Sequence, residues 1–169
     1  TKRDAMPDQT VGRARSTAAE CFREFLERLR GAKELVDIRQ PVDIRHIATL
    51  VDQSDKALLF HDVIGYEMPV VSGIIRSRER AIMSMGCSTY PEIEQKLQQG
   101  IDHPIAPKHV ETTPNKQVIR VGDEVDLFTL PIPMSSIYDG GPMITAAVVI
   151  AADHEHGMNS GIYRFMEQE

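Results

Sequence analysis

The sequence predicts an α+β protein in two parts, an N-terminal α/β domain followed by a β-rich one. Helical and strand-like hydrophobic periods alternate between Thr17 and Ile101, the pattern of helices packed on a sheet. From Asp102 to Asn115 the chain carries three prolines and no period, which marks a crossing between domains. Past it the apolar runs are strand-like. They end in Ala146 to Ala152 and Asn159 to Arg164, joined by the polar turn Asp153 to Gly157, and this reads as a hairpin. The expected division is a tail over 1–15, an N-terminal domain over 16–111 and a second domain over 112–169, with the boundary near residue 112.

Each element has a local cause. Thr17 and Glu20 have capping-box spacing, Ala18, Phe22, Phe25, Leu26 and Leu29 share one helical face, and Gly31 offers a left-handed stop. Leu35 to Ile38 reads as a short strand, and Asp43 as the N-cap of a helix carrying Ile44, Ile47, Ala48 and Val51. Ala57 to Val63 and Pro69 to Ile75, joined through Gly65, are apolar enough for interior strands. Ser77 caps a helix that runs through Met85 to Gly86. Pro91 opens another, with Ile93, Leu97 and Ile101 as its apolar stripe and Gly100 loosening its end. In the second part, Gln117 to Val121 reads as a strand, Gly122-Asp123 as a turn, and Asp126 to Leu130 as one helical turn halted by Pro131 and Pro133.

Composition narrows the function. A formal net charge of -6 argues against nucleic acid or an anionic membrane surface as the partner. No apolar run approaches the ~18 residues of a membrane span, and the charged N-terminus lacks a signal-peptide core. A cytoplasmic protein with a small-molecule site is expected. Cys21 and Cys87 form no metal-ligand spacing and fit reduced thiols. The start at Thr1 and the stop at Glu169, just after a strand, suggest a piece of a longer protein.

The chemistry-bearing residues concentrate at the end of the chain. Asp139-Gly140-Gly141-Pro142 is either a tight loop or a place where positive φ lets the main chain approach a ligand. Asn159 offers a neutral oxygen to a hard cation, and Ser160 and Gly161 offer a hydroxyl and an open amide to phosphate. In an extended strand Asn159 and Arg164 face opposite sides unless a bulge intervenes at Gly161. Arg164 is equally readable as a substrate-carboxylate partner or a surface ion pair. Asp153-His154-Glu155-His156 falls where a solvated turn is needed, so a metal site is not expected there. His61 reads as a hydrogen-bonded core histidine, His46, His103 and His109 as surface or linker residues, and Ser135-Ser136 lacks a hydrolase spacing.

Taken in order, these blocks resemble the N-terminal third of a UbiD-type decarboxylase. The resemblance rests on Phe22-Arg23-Glu24-Phe25-Leu26 leading to Leu35-Val36, Ser77-Arg78-Glu79-Arg80, and Gly122-Asp123-Glu124-Val125-Asp126-Leu127 running to Leu130-Pro131-Ile132-Pro133. Asp139-Gly140-Gly141-Pro142 through Ile144-Thr145, and Asn159-x-Gly161-Ile162-Tyr163-Arg164, complete it. It implies that the second part begins a split-β-barrel-like flavin domain holding prenylated FMN. Asn159 would ligate a divalent metal that bridges protein and cofactor phosphate. Manganese is the expected ion, with potassium also in consideration. Thr145, Gly161, Ile162 and Tyr163 would line the cofactor, and Arg164 would hold the substrate carboxylate and steady the flavin.

The implied reaction is a reversible, non-oxidative decarboxylation of an aromatic or α,β-unsaturated acid. The resemblance further implies a homo-oligomer and a flavin prenyltransferase as cofactor supplier. It places the proton-donating carboxyl and the remaining metal ligands C-terminal to Arg164, so the 169-residue chain alone is expected to be inactive. Two other readings stay open, an oxidoreductase using ordinary FMN and a non-catalytic assembly or binding module that complements another chain.

Overall fold

A computed structural model describes residues 21–108, 110–111 and 117–167. The 1–15 tail, the Thr17–Glu20 cap, His109 and the boundary near residue 112 lie outside the described residues. The first described helix, α1 (Phe22–Gly31), has Cys21 as N-cap. The Cys21 backbone N–H donates to Glu24 Oε2 at 3.0 Å, which satisfies one orphan donor of the helix start. Gly31 is not the left-handed stop. It is the last helical residue, and Lys33 takes φ 60°. The Glu34 N–H donates to Leu29 O at 2.8 Å and the Lys33 N–H to Arg30 O at 3.0 Å. This crossed pair defines the left-handed position two residues past the helix end, wherever the glycine stands.

Strands β1 (Leu35–Ile38) and β2 (Ala57–Phe60) are parallel, with Leu35 opposite Ala57 and Ile38 opposite Phe60. Helix α2 (Ile47–Asp52) makes the crossover that parallel neighbours require. Asp43 caps a turn and not this helix. Its Oδ1 accepts the Arg45 N–H at 2.9 Å, a local bond that competes with helix and delays it to Ile47. Strand β3 (Val70–Ser72) pairs antiparallel with β2 after the Gly65 turn, at φ 89°. The order β1-β2-β3 leaves β3 at an edge, so of the two runs expected inside only β2 is central.

β2 is buried on both faces, and this explains its unbroken apolar run. Leu58 and Phe60 pack with Ile47 and Val51 of α2 and with Val42 and Val63. Ala57 packs on the other side with Leu35 and with Phe25 and Leu29 of α1. Helix α3 (Arg78–Ser84) starts where Ser77 Oγ accepts the Arg80 N–H at 3.1 Å, and Gly86 beyond it takes φ 63°. Helix α4 (Tyr90–Asp102) runs through Gly100. Its stripe is covered only at Ile93, while Leu97 and Ile101 are 53% and 73% exposed among the described residues.

Arg80 is 1% exposed. Its Nη1 lies 2.7 Å from Glu34 Oε2 and 2.7 Å from Asp55 O, and its Nε 3.1 Å from Gly73 O. One guanidinium thus ties α3 to the starts of β1 and β2 and to the end of β3. Lys56 engages the other oxygen of Glu34.

The second part starts without the expected strand at 117–121, which is irregular, with Val118, Ile119 and Val121 exposed. A strand needs a neighbour for its backbone bonds, and none of the described residues pairs there. Two single 3₁₀ turns follow, Gly122–Glu124 and Leu127–Thr129, the latter capped by Asp126 Oδ1 on the Phe128 N–H at 2.9 Å. Strands β4 (Met143–Asp153) and β5 (Gly157–Met166) form the expected antiparallel hairpin. Among the described residues no helix is long and apolar enough to cross a membrane.

Candidate functional site

The hairpin register decides which candidate residues can cooperate. From Ala147 opposite Tyr163 to Asp153 opposite Gly157 the pairing is regular, so Gly161, opposite Val149, is not a bulge. The irregularity lies in β4. Ile144 pairs with Phe165 and Ala147 with Tyr163, which leaves Thr145 and Ala146 together opposite Arg164. One extra residue of this kind bends the strand and re-aims its side chains. By alternation, Thr145, Ala146, Ile162 and Arg164 share one face, and Asn159, Gly161 and Tyr163 the other. The structure therefore brings Thr145, Ile162 and Arg164 together and sets Asn159 behind them.

Gly161 has its own reason. A Cβ there would lie 2.6 Å from Cε2 of Tyr163, whose ring folds back over the glycine. The double glycine is likewise explained within the chain. Neither Gly140 nor Gly141 has positive φ. A Cβ on Gly141 would stand 3.0 Å from Glu167 O, and one on Gly140 3.1 Å from Met166 Sδ. The Glu167 N–H donates to Pro142 O at 2.9 Å and the Met143 N–H to Pro133 O at 3.3 Å. Asp139-Gly140-Gly141-Pro142 is thus the tight loop that lets β5 end against the entry to β4. Its close approach is to the chain itself.

Arg164 is exposed and makes no ion pair or hydrogen bond among the described residues. The surface salt bridge weighed for it does not form there. Thr145 and Ala146, on the same face, help to line an apolar cavity of about 400 Å³ with Met68, Ile144 and the Leu130–Pro133 segment. A guanidinium without a partner among the described residues, a hydroxyl and an apolar wall suit an organic anion with a hydrophobic body. Sequence reasoning missed the walls. Pro131 and Pro133 read as a helix stop, yet Ile132 between them is 8% exposed, and two fixed φ angles were a signal for a rigid support. Met68 carried no signal.

Arg164 and Thr145 fit a carboxylate or the polar edge of a flavin. Asn159 supplies a single neutral oxygen, and no group of three or more His, Cys, Asp or Glu that could hold a metal exists among the described residues. A hard divalent cation takes about six or more oxygen ligands, so Asn159 fits as one ligand and does not by itself make a site.

The other titratable clusters are structural. Asp153 Oδ1 accepts the Glu155 N–H at 2.8 Å, the His156 N–H at 2.9 Å and lies 3.0 Å from His156 Nδ1. These bonds, led by the His156 amide, hold its pKa below the usual carboxylate range, and the segment is the solvated turn expected. His61 is exposed at the end of β2, with Nε2 2.6 Å from Asp37 Oδ1. It is hydrogen-bonded but not a core residue, because β2 ends at Phe60. Arg30 grips the same aspartate through two bonds, 3.2 and 3.1 Å. Arg30 first and His61 second lower the Asp37 pKa to about 2. Cys21 and Cys87 are free thiols, and Ser136 Oγ accepts the Tyr138 N–H at 3.2 Å as a loop bond.

Residues 26–97 match the 3-octaprenyl-4-hydroxybenzoate carboxy-lyase N-terminal domain, and residues 108–169 match the Rift-related domain of the same carboxy-lyase. An anhydromevalonate phosphate decarboxylase of Methanosarcina mazei is 33% identical over 148 residues, 86% of this chain and 33% of the relative. An uncharacterized protein in the cooM 5' region of Rhodospirillum rubrum is 37% identical over 149 residues, 83% of this chain and 32% of its own length. An evolved dimeric form of the UbiD-class enzyme HmfF from Pelotomaculum thermopropionicum, in complex with prFMN, matches with TM-score 0.77 and 36% identity. That match covers 84% of this chain and 34% of HmfF. The closed form of vanillic acid decarboxylase from Sedimentibacter hydroxybenzoicus gives 0.78 at 26% identity, over 87% of this chain and 35% of its own. The chain spans about a third of the length of the relatives it matches. With both family domains matched in order and the fold shared, the chain belongs to the UbiD family.

Proposed function

We propose that the protein carrying this chain is a non-oxidative, reversible decarboxylase of aromatic or α,β-unsaturated carboxylic acids, with prenylated FMN and manganese as cofactors. The carrying observation is Arg164, which has no acidic partner among the described residues and shares a hairpin face with Thr145 and Ile162. HmfF, similar in fold and 36% identical, was solved with prFMN, which supports the choice of cofactor. Bound prenylated FMN supplies the electron sink as carbon dioxide leaves.

The chain's own residues bind and orient. Arg164 donates two parallel N–H bonds to the substrate carboxylate, which fixes the plane of the group to be lost. Thr145 offers its hydroxyl beside that carboxylate, Ile162 on the same hairpin face lines the cofactor, and the apolar cavity wall excludes water from the reacting bond. Asn159 would offer its amide oxygen to the metal, and Gly161 and Tyr163 would line the cofactor, the glycine leaving room for the Tyr163 ring that folds over it. A flavin prenyltransferase supplies the cofactor, and the working form is a homo-oligomer. With Asn159 as its one candidate metal ligand among the described residues, the 169-residue chain alone is expected not to turn over.

The test is to co-express the protein with a flavin prenyltransferase, release its cofactor by denaturation, and assay carbon dioxide from a panel of aromatic acids. Prenylated FMN with turnover is expected, and Arg164→Gln should lower kcat/KM by at least about 100-fold. Release of ordinary FMN with redox activity, or of no flavin at all, would refute the proposal.

A further inference from the structure

A second cavity, about 670 Å³, lies between the Gly65–Met68 loop and residues 118–130. Tyr66, Leu127 and Phe128 give it apolar and aromatic walls, and Arg120 is its cation. It shares Met68 and Leu130 with the cavity that Thr145 lines, so the two adjoin at those side chains. Arg120 is exposed, and its bond among the described residues is a long one, from Nη1 to Thr129 Oγ1 at 3.4 Å. Two carboxylates also line the space, Glu67 and Asp126. One oxygen of Asp126 is engaged in capping the Phe128 amide.

We propose that this outer cavity binds a small aromatic monocarboxylate and passes it toward the Thr145 cavity across Met68. The planar guanidinium of Arg120 takes the carboxylate through a pair of N–H bonds. Tyr66 and Phe128 take the ring by offset or edge contact, and the volume is that of an ordinary small-ligand pocket. Glu67 and Asp126 repel a second negative charge, which selects one carboxylate over two. Met68, unbranched and adaptable, is suited to the seam because it can change rotamer to open or close it. The transfer role rests on the decarboxylase reading. The binding site itself does not.

The experiment titrates cofactor-free protein with 2-naphthoate by fluorescence, in an Arg164→Gln background so that the other arginine contributes nothing, with neutral 2-naphthol as control. Adding Arg120→Gln is expected to weaken 2-naphthoate binding at least about tenfold, the loss of one charge-assisted pair, and to leave 2-naphthol unchanged. Arg120→Lys should fall between, since it keeps the charge and loses the fork. Arg120 is exposed, so an unchanged unfolding midpoint should accompany the substitution. In the holoenzyme with Arg164 intact, Met68→Trp should raise KM for an aromatic acid several-fold. Equal 2-naphthoate affinity with and without Arg120 overturns the site, even if the enzyme decarboxylates. Arg120-dependent binding without any turnover keeps the site and refutes only the decarboxylase reading. A KM unmoved by Met68→Trp refutes the transfer role.

Discussion

Replacing Arg80 with methionine should remove one of the strongest single ties in the N-terminal domain. The residue is 1% exposed and its guanidinium meets the Glu34 carboxylate and two backbone carbonyls. Breaking a buried pair from one side costs about 3–5 kcal/mol, because the partner charge and the carbonyls lose their donor. Two features place the loss near the lower end, about 3 kcal/mol. Methionine refills most of the volume, and Glu34, 23% exposed at the side chain, keeps Lys56 at its other oxygen. Against a total stability of about 5–15 kcal/mol the variant stays folded with a much lower midpoint. Urea unfolding followed by circular dichroism reads this as a drop in midpoint at unchanged slope. A cycle with Glu34→Gln should show coupling of about 1–3 kcal/mol. A loss below about 1 kcal/mol, or strict additivity with Glu34→Gln, would refute the claim that the buried ion pair holds α3 on the sheet.

Three further outcomes are expected. Lys33→Gly should stabilise by about 0.5–1 kcal/mol in the same assay, since relief of the left-handed penalty of about 1–2 kcal/mol exceeds the added unfolded-state entropy; a loss of stability would contradict the cap assignment. Asp37 has its pKa lowered from the ordinary 3.8 to about 2. Its contribution is therefore present above pH 3.8 and is lost as pH falls toward 2, and Asp37→Asn should remove that part of the acid transition; an identical acid profile would argue against the Arg30 and His61 contacts. Gly141→Ala pushes a methyl group to 3.0 Å from Glu167 O. Proteolysis near the β4 entry should speed up and stability should fall by about 1–3 kcal/mol, whereas a neutral result would show that the loop yields.

The local elements of this chain were readable because their causes are local. Ser77 caps α3, Pro91 opens α4, and the polar turn after Asp153 closes a hairpin, each through bonds within a few residues. Positions fixed by pairing behaved differently. The stretch 117–121 has strand composition but no neighbour among the described residues, and β3 is an edge because β2 turns back on it. Gly31 lost the left-handed role to Lys33 because the crossed bonds of the helix end are counted from the carbonyls they satisfy, and not from the nearest glycine.

The same division runs through the candidate site. Thr145, Asn159, Gly161 and Arg164 could be named as candidates from residue type, since a guanidinium, a hydroxyl, an amide oxygen and an open backbone amide announce their chemistry alone, whereas Ile162 and Tyr163 entered through the family resemblance. Which of them share a face depended on one extra residue in β4. That residue fixes the register, and a one-residue difference moves a side chain to the other face of a sheet. The cavities depended on tertiary packing entirely, because Met68, Arg120 and Leu130 come together only when the loop after β2 meets the segment before β4. Sequence determined the chemical groups and the elements that carry them. Tertiary structure decided their faces and neighbours, because those follow from pairing and packing between residues far apart in the chain.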